Sequence, residues 1–501
     1  MIYIPRGWFS ATELGDVEVI FHKGYFHIFH LNLPSHDVVS HIVSKDGFEW
    51  KSLPNAIHVG NPGEFDDDQI WTMGVFRYKK KFFMLYTGLS KLEEGLFQRV
   101  GLAISDDLVN WEKWTKNPVS IADKRWYESK IGPTGVAWRD PFVFEENGVL
   151  HALVSARENK GPLSRRGCVA HLISQDGYNW KVCSPLHTPR ISFDFEVPSL
   201  IKIGKKYYLT GHLPECGYSV YYIADKLEGP YRRPENNIIL PPPNSAFRPC
   251  YWKGKILMFH WNRTIADWIP NNPYIFALVP PKEVKIKEDG SLILSSFSGW
   301  KSRIEKTSFI NFSSIINKVN INYGIWRTKN YRLEGICEPG MGTFLLPKSL
   351  ANFIIEGEIE YKSAHNFGIL FRSDKDSDEA TFIFCKPDLN IVELVRIFHN
   401  PVYMPKKNIK LLTRGRNLVQ SNYFSFQREK RYHLHLIVSG PYVEFSLDDK
   451  ILLCALTMNK NSGQIGFFVE DGIAVFSNFK IHQLKKFFGF KNNKLKHNSP
   501  I

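Results

Sequence analysis

Two carboxyl groups flanking a glycosidic bond can cleave it. One protonates the leaving oxygen, and the other attacks the anomeric carbon or activates water. A third acid can hold hydroxyls or shift the others' protonation, because neighbouring like charges disfavour ionisation. Three acids here share one position in a repeated pattern, which could bring such a set together. Asp16, Asp140 and Glu196 each stand eight residues ahead of a turn glycine, at Gly24, Gly148 and Gly204, and each heads a similar apolar stretch. Segments starting near Thr72 and Ala246 share the shape without the acid. A purely structural acid would recur in all the copies. Restriction to some of them points to a shared chemical role.

The elements that must bring these acids together form an internal repeat. Ser44-Lys45-Asp46-Gly47-Phe48-Glu49-Trp50 recurs as Ser105 to Trp111 and as Ser174 to Trp180, with a worn copy at Ala224 to Tyr231. Ser and Asp side chains satisfy turn backbone, and Trp anchors one layer on another. The marks lie 50 to 69 residues apart, the range of propeller blades with inserted loops. Aromatic and β-branched stretches bounded by Gly, Asn, Lys or Pro read as strands, and helical periodicity is nearly missing before residue 300. The expected fold is all-β: a five-bladed β-propeller over residues 1–300, then a linker over 301–330. A C-terminal antiparallel β-sandwich over 331–484 and a basic tail over 485–501 follow.

The remaining composition narrows the classes. With 501 residues, 43% of them hydrophobic, the chain is long enough for two globular units. The net charge of +14 is spread along the chain, clusters only in the C-terminal tail and accompanies no nucleic-acid motif, so no nucleic-acid partner is expected. Seven scattered cysteines form no CxxC or Cys/His cluster, so neither a disulfide framework nor a metal or other cofactor is expected. No apolar leader or membrane-length stretch stands in the sequence. The expectation is therefore a cytoplasmic protein with no membrane partner, and the three acids point to a carbohydrate substrate.

Motifs around the acids resemble those of glycoside hydrolase family 32. Trp138-Arg139-Asp140-Pro141 is similar to its Arg-Asp-Pro motif, and Phe195-Glu196-Val197-Pro198 to its Glu-Cys-Pro motif. Gly15-Asp16-Val17 lies where that family has Asn-Asp-Pro-Asn-Gly, without the proline or the asparagines. Trp71-Thr72-Met73-Gly74 is similar to the segment that lines the sugar pocket. The resemblance implies a retaining hydrolase of β-fructofuranosides. Asp16 would be the nucleophile, Glu196 the acid/base and Asp140 the transition-state stabiliser, with Arg139 and Trp71 holding the sugar. Two alternatives stay open: an inverting α-L-arabinofuranosidase or β-xylosidase like those of family 43, and a carbohydrate-binding propeller without catalysis.

Further residues are expected near the pocket. Asp68, at the end of the run Asp66-Asp67-Asp68, enters the second blade near the channel mouth and can bind a sugar hydroxyl. The run lacks calcium-loop spacing and reads as a solvated loop. Arg248 heads the fifth blade and either faces the pocket or makes a structural salt bridge. Trp138, Trp126 and His212 either flank sugar subsites or pack between blades. His27, His30, His36 and His41 read as strand residues.

Overall fold

In the computed structural model, residues 13–132, 134–265, 274–404, 409–457 and 462–485 are described. Five antiparallel sheets follow one another along the chain. Their innermost strands are Glu13–His22, Gln69–Tyr78, Trp138–Glu146, Glu196–Ile203 and Asn244–Trp252. Each packs against the next, and the fifth closes against the first. The chain is thus a five-bladed propeller whose inner strands surround one axis.

The Ser-Asp mark is a turn staple at the outer edge of three blades. Ser44 Oγ accepts the Gly47 amide at 2.9 Å, while Asp46 Oδ1 accepts the amides of Phe48 and Glu49 at 2.9 Å each. Ser105 with Asp107, and Ser174 with Asp176, repeat the arrangement. The trailing tryptophans bind back on the turn, Trp111 Nε1 to Leu108 O at 2.8 Å and Trp180 Nε1 to Gly177 O at 3.0 Å. Local polar groups therefore close each turn, and the indole packs toward a neighbouring blade: Trp180 meets Phe76 of blade 2 edge-on at 6.2 Å.

Blades approach closely where side chains vanish. A Cβ on Gly74 would lie 2.4 Å from the Pro141 carbonyl oxygen, so glycine lets the second inner strand meet the third at the Asp140-Pro141 corner. Backbone on both sides leaves no flexible atom to yield.

The C-terminal unit is sandwich-like, with 13 strands in one hydrogen-bonded network. Its longest strand, Gly463–Leu484, pairs with Arg332–Leu350, Phe353–Tyr361 and Asn366–Ser373. The core is aromatic, with Phe344, Phe367, Phe445, Phe467 and Phe476 fully buried. Within the stretch expected to be a linker, Ile304–Phe309 pairs with Gly463–Leu484, and Asn320–Asn322 and Ile325–Lys329 pair with Arg332–Leu350. Polar, irregular sequence concealed these strands because their side chains are mostly exposed. Of the basic tail only Lys485 falls among the described residues. No helix among the described residues is long and apolar enough to cross a membrane.

The two units share a buried seam. Lys282 of the fifth blade, wholly buried, meets the equally buried Glu444 at 2.9 Å. Asn244 and Asn262 both donate to the Cys454 carbonyl, at 2.9 and 3.0 Å. Trp300 stacks on Tyr442, with 6.1 Å between ring centroids.

Candidate active site

All five inner strands carry a β-bulge near their entry to the axis, at Gly15-Asp16, Thr72, Asp140-Pro141, Val197-Pro198 and Ala246-Phe247. A bulge opposes an extra residue to its partner strand, breaks the alternation and re-aims side chains. Asp140, Val197 and Ala246 take left-handed backbone, with φ of +60°, +46° and +56°. That costs about 1–3 kcal/mol at a residue with a side chain. The return is visible at Val197, whose amide is turned to donate to Asp140 Oδ2 at 3.0 Å.

Pairing register alters one sequence inference. Counted back from the hairpins at His22–Tyr25, Glu146–Val149 and Ile203–Lys206, Asp16 and Asp140 are equivalent to each other and to Val197. Glu196 stands one position earlier, where the third blade has Arg139. Gly204 is the first residue of its turn, whereas Gly24 and Gly148 are the second, so a common distance from glycine hid the offset. The equivalence puts Arg139 and Glu196 on neighbouring strands at the same level, and they meet: Arg139 Nη2 donates to Glu196 Oε1 at 2.8 Å.

Asp16, Asp140 and Glu196 line one cavity of about 170 Å³ with Arg139, Trp71 and Thr72. His36, Trp261, Leu31, Leu33 and Gly15 complete its wall. That is below the roughly 300–1,000 Å³ of sites for drug-sized ligands and suits one sugar ring. Both oxygens of Asp16 are held: Thr72 Oγ1 donates to Oδ2 at 2.6 Å and Trp261 Nε1 to Oδ1 at 3.0 Å. Burial raises the Asp140 carboxyl above the usual carboxylate range, opposed by Arg139 and assisted by Asp16. Burial also pushes Glu196 up to about 7; Arg139 opposes the shift and Asp140 adds to it. Arg139 stays charged among its acids, with Asp194 at 2.9 Å and Asp140 at 3.7 Å.

Other predicted residues lie elsewhere. Arg248 does not line the cavity. It is wholly buried one layer further down the axis, 3.2 Å from the buried Glu18. It also donates to the carbonyls of Pro198 at 2.7 Å, Pro141 at 3.3 Å and Asp140 at 3.4 Å. It is the structural salt bridge, and it ties three blades under the pocket floor. Trp138 is fully buried, with Nε1 on Ser120 Oγ at 3.1 Å, and packs between blades. Asp68 is half-buried outside the cavity wall, its amide on Leu89 O at 3.0 Å. The acidic run is not a solvated loop. Asp66 is buried and ion-paired to Lys113 at 2.6 Å, and Asp67 accepts the amides of Gly63 and Lys91. Trp126 lies under Arg125 at 4.3 Å, and His212 pairs across from Glu196.

Sequence reasoning missed four wall residues, Leu31, Leu33, His36 and Trp261. His36 sits in a turn with φ of +52° rather than in a strand, and its Nδ1 is buried without a protein hydrogen-bond partner. Trp261 comes from the second strand of the fifth blade, which lacks the repeat's outer mark.

Arg248 yields a stability prediction. Burial raises Glu18 to about 7, against the opposing charge of Arg248. In Arg248→Met that opposition is lost, so the folded-state pKa of Glu18 rises further above its unfolded value. Such a group contributes stability below the unfolded pKa and loses it as pH rises through the folded one. Removing one partner of a buried pair costs about 3–5 kcal/mol when the other stays charged. Arg248→Met should therefore melt earlier than the parent, with a larger deficit at pH 8 than at pH 5 in thermal denaturation. An equal deficit at both values would refute the ion pair.

Comparison with known proteins agrees with this geometry. Residues 17–231 match the family model described as glycosyl hydrolases family 32 N-terminal domain. The match opens one residue after Asp16 and takes in Asp140 and Glu196. Among solved structures, fructan 1-exohydrolase IIa from Cichorium intybus is similar, with TM-score 0.68 and 15% identity over 96% of each chain. Exo-inulinase from Aspergillus awamori gives TM-score 0.67 and 16% identity over 96% of this chain and 97% of its own. Sucrose-6-phosphate hydrolase from Lactobacillus gasseri gives 0.66 and 16% over 95% and 91%. At such identities the likeness is one of fold.

Proposed function

We propose that the chain, whose residues 17–231 match the glycosyl hydrolases family 32 N-terminal domain, cleaves β-fructofuranosides with retention of configuration. The observation that carries the reading is the convergence of three carboxyls on one small axial cavity, with Glu196 raised to about 7. Asp16 attacks the anomeric carbon, its two oxygens aligned by Thr72 and Trp261. Glu196 gives its proton to the leaving oxygen and later takes one from water. Asp140, fixed by the Val197 amide, stabilises the charge that develops on the ring. Trp71, Trp261, Leu31 and Leu33 give the sugar apolar faces, and Arg139 and His36 offer polar contacts.

The names of the structural relatives support the substrate class. A variant of the Cichorium intybus enzyme is in complex with 1-kestose, and a variant of Bombyx mori β-fructofuranosidase BmSUC1 is in complex with sucrose. Product analysis against sucrose, inulin, levan and aryl arabinofuranosides tests the proposal, with NMR of the first anomer released. Free fructose from one of the first three substrates, released first as the β-anomer, is expected. Cleavage of the arabinofuranosides alone, or an inverted first product, would overturn it.

A further inference from the structure

We infer that Asp194 is a positioning residue for Glu196, at the inner end of a buried chain of alternating charges that runs from the surface to the pocket. The inference rests on Glu196 being the acid/base. Arg166 Nη1 meets Glu128 Oε1 at 2.7 Å, and Arg157 Nε meets Glu128 Oε2 at 2.7 Å. Arg157 Nη1 then meets Asp194 Oδ1 at 3.1 Å, and Arg139 Nη2 meets Asp194 Oδ2 at 2.9 Å. The same Arg139 nitrogen binds Glu196 Oε1 at 2.8 Å. Only the outermost arginine is open to solvent, with side chains 25% exposed at Arg166 against 3% at Arg157 and 7% at Arg139.

Each member is fixed. Arg157 also donates to the carbonyls of Thr134 and Gly135, at 3.0 and 2.8 Å, and stacks over Phe193 at 4.3 Å. Ser192 Oγ holds the Asp194 carbonyl at 2.5 Å, and Gly167 has no room for a Cβ against the Asp194 backbone. One nitrogen of Arg139 therefore serves two carboxylates, and Asp194 takes part of the Nη2 group that Glu196 would otherwise hold alone.

Charge counting gives this a consequence. Arg139, Arg157 and Arg166 face four acids, Glu128, Asp194, Asp140 and Glu196. One carboxyl in the group can keep its proton without leaving a buried charge unpaired, and Glu196, opening on the cavity, is placed to be that one. The other groups facing it are Asp16 across the cavity and His212 on the paired strand, whose pKa burial lowers. Arg263 and Glu215 stand beyond His212 and act on it with opposite signs.

Alternation makes the test one of sign. Asp194→Asn removes the excess acid, so Glu196 should ionise about one pH unit lower. Arg157→Gln enlarges the excess and should raise the same titration by about one unit. Two readouts serve on the full chain: the alkaline limb of kcat/KM on sucrose, and the carbon-13 carboxyl titration assigned to Glu196 by its loss in Glu196→Gln. Glu128→Gln and Arg166→Gln, at the outer end, should give smaller downward and upward shifts and serve if the inner variants fail to fold. Opposite shifts sustain the chain. Unmoved titrations, or both in one direction, overturn it. Full turnover by Glu196→Gln would instead overturn the acid/base reading, leaving the carboxyl titration to decide the chain separately.

Discussion

Replacing Asp16 by Asn is expected to lower kcat on sucrose by a factor on the order of 10⁴ or more, the scale of losing a covalent nucleophile. The substitution keeps shape and volume. Thr72 Oγ1 and the Trp261 indole N–H both point at the carboxylate, at 2.6 and 3.0 Å. An amide keeps both contacts, its oxygen accepting from the indole and its NH₂ donating to the Thr72 hydroxyl, which can turn to accept, so what is lost is the nucleophile itself. The fold should survive, because Asp16 sits on the cavity wall rather than in the blade core. Initial rates with thermal denaturation check both halves. Activity above a tenth of the parent would remove Asp16 from the mechanism.

Glu196→Gln should cost about 10²–10⁴-fold on natural substrates, the usual worth of a general acid. The pH profile carries more information than the size of the loss. As the proposed acid, Glu196 must hold a proton to start the reaction, and burial pushes its pKa up to about 7. In the parent, kcat/KM should therefore fall as pH rises through 7, approaching tenfold per unit. In Glu196→Gln the residual rate should lose that limb and stay flat from pH 6 to pH 8. A limb that persists in the variant would assign the titration to another group. Activated aryl fructosides should lose less than sucrose, because a good leaving group needs no proton.

Much of this was legible in the chain because the repeat is local. The Ser-Asp turns close through hydrogen bonds spanning two or three residues, so their spacing reports blades directly. Segments without that mark were harder to read. Ile304–Phe309 becomes a strand only because the far end of the chain, near Lys480 and Leu484, pairs with it. His36 looked like another strand histidine, since nothing in PSHD shows that the turn folds toward the axis.

Sequence by itself determined the blade architecture, the three acids and the Arg-Asp-Pro neighbourhood, because turn chemistry and strand alternation are written within a few residues of each position. The tertiary structure alone decided which groups meet. A bulge displaces each inner strand's alternation, and register places Glu196 one step from Asp140's position, opposite Arg139. Closure of the ring brings Trp261 to Asp16 across 245 positions. It also sends Arg248 below the floor to Glu18 rather than to the sugar. Those contacts depend on where five strands cross one axis, and no local pattern encodes that distance.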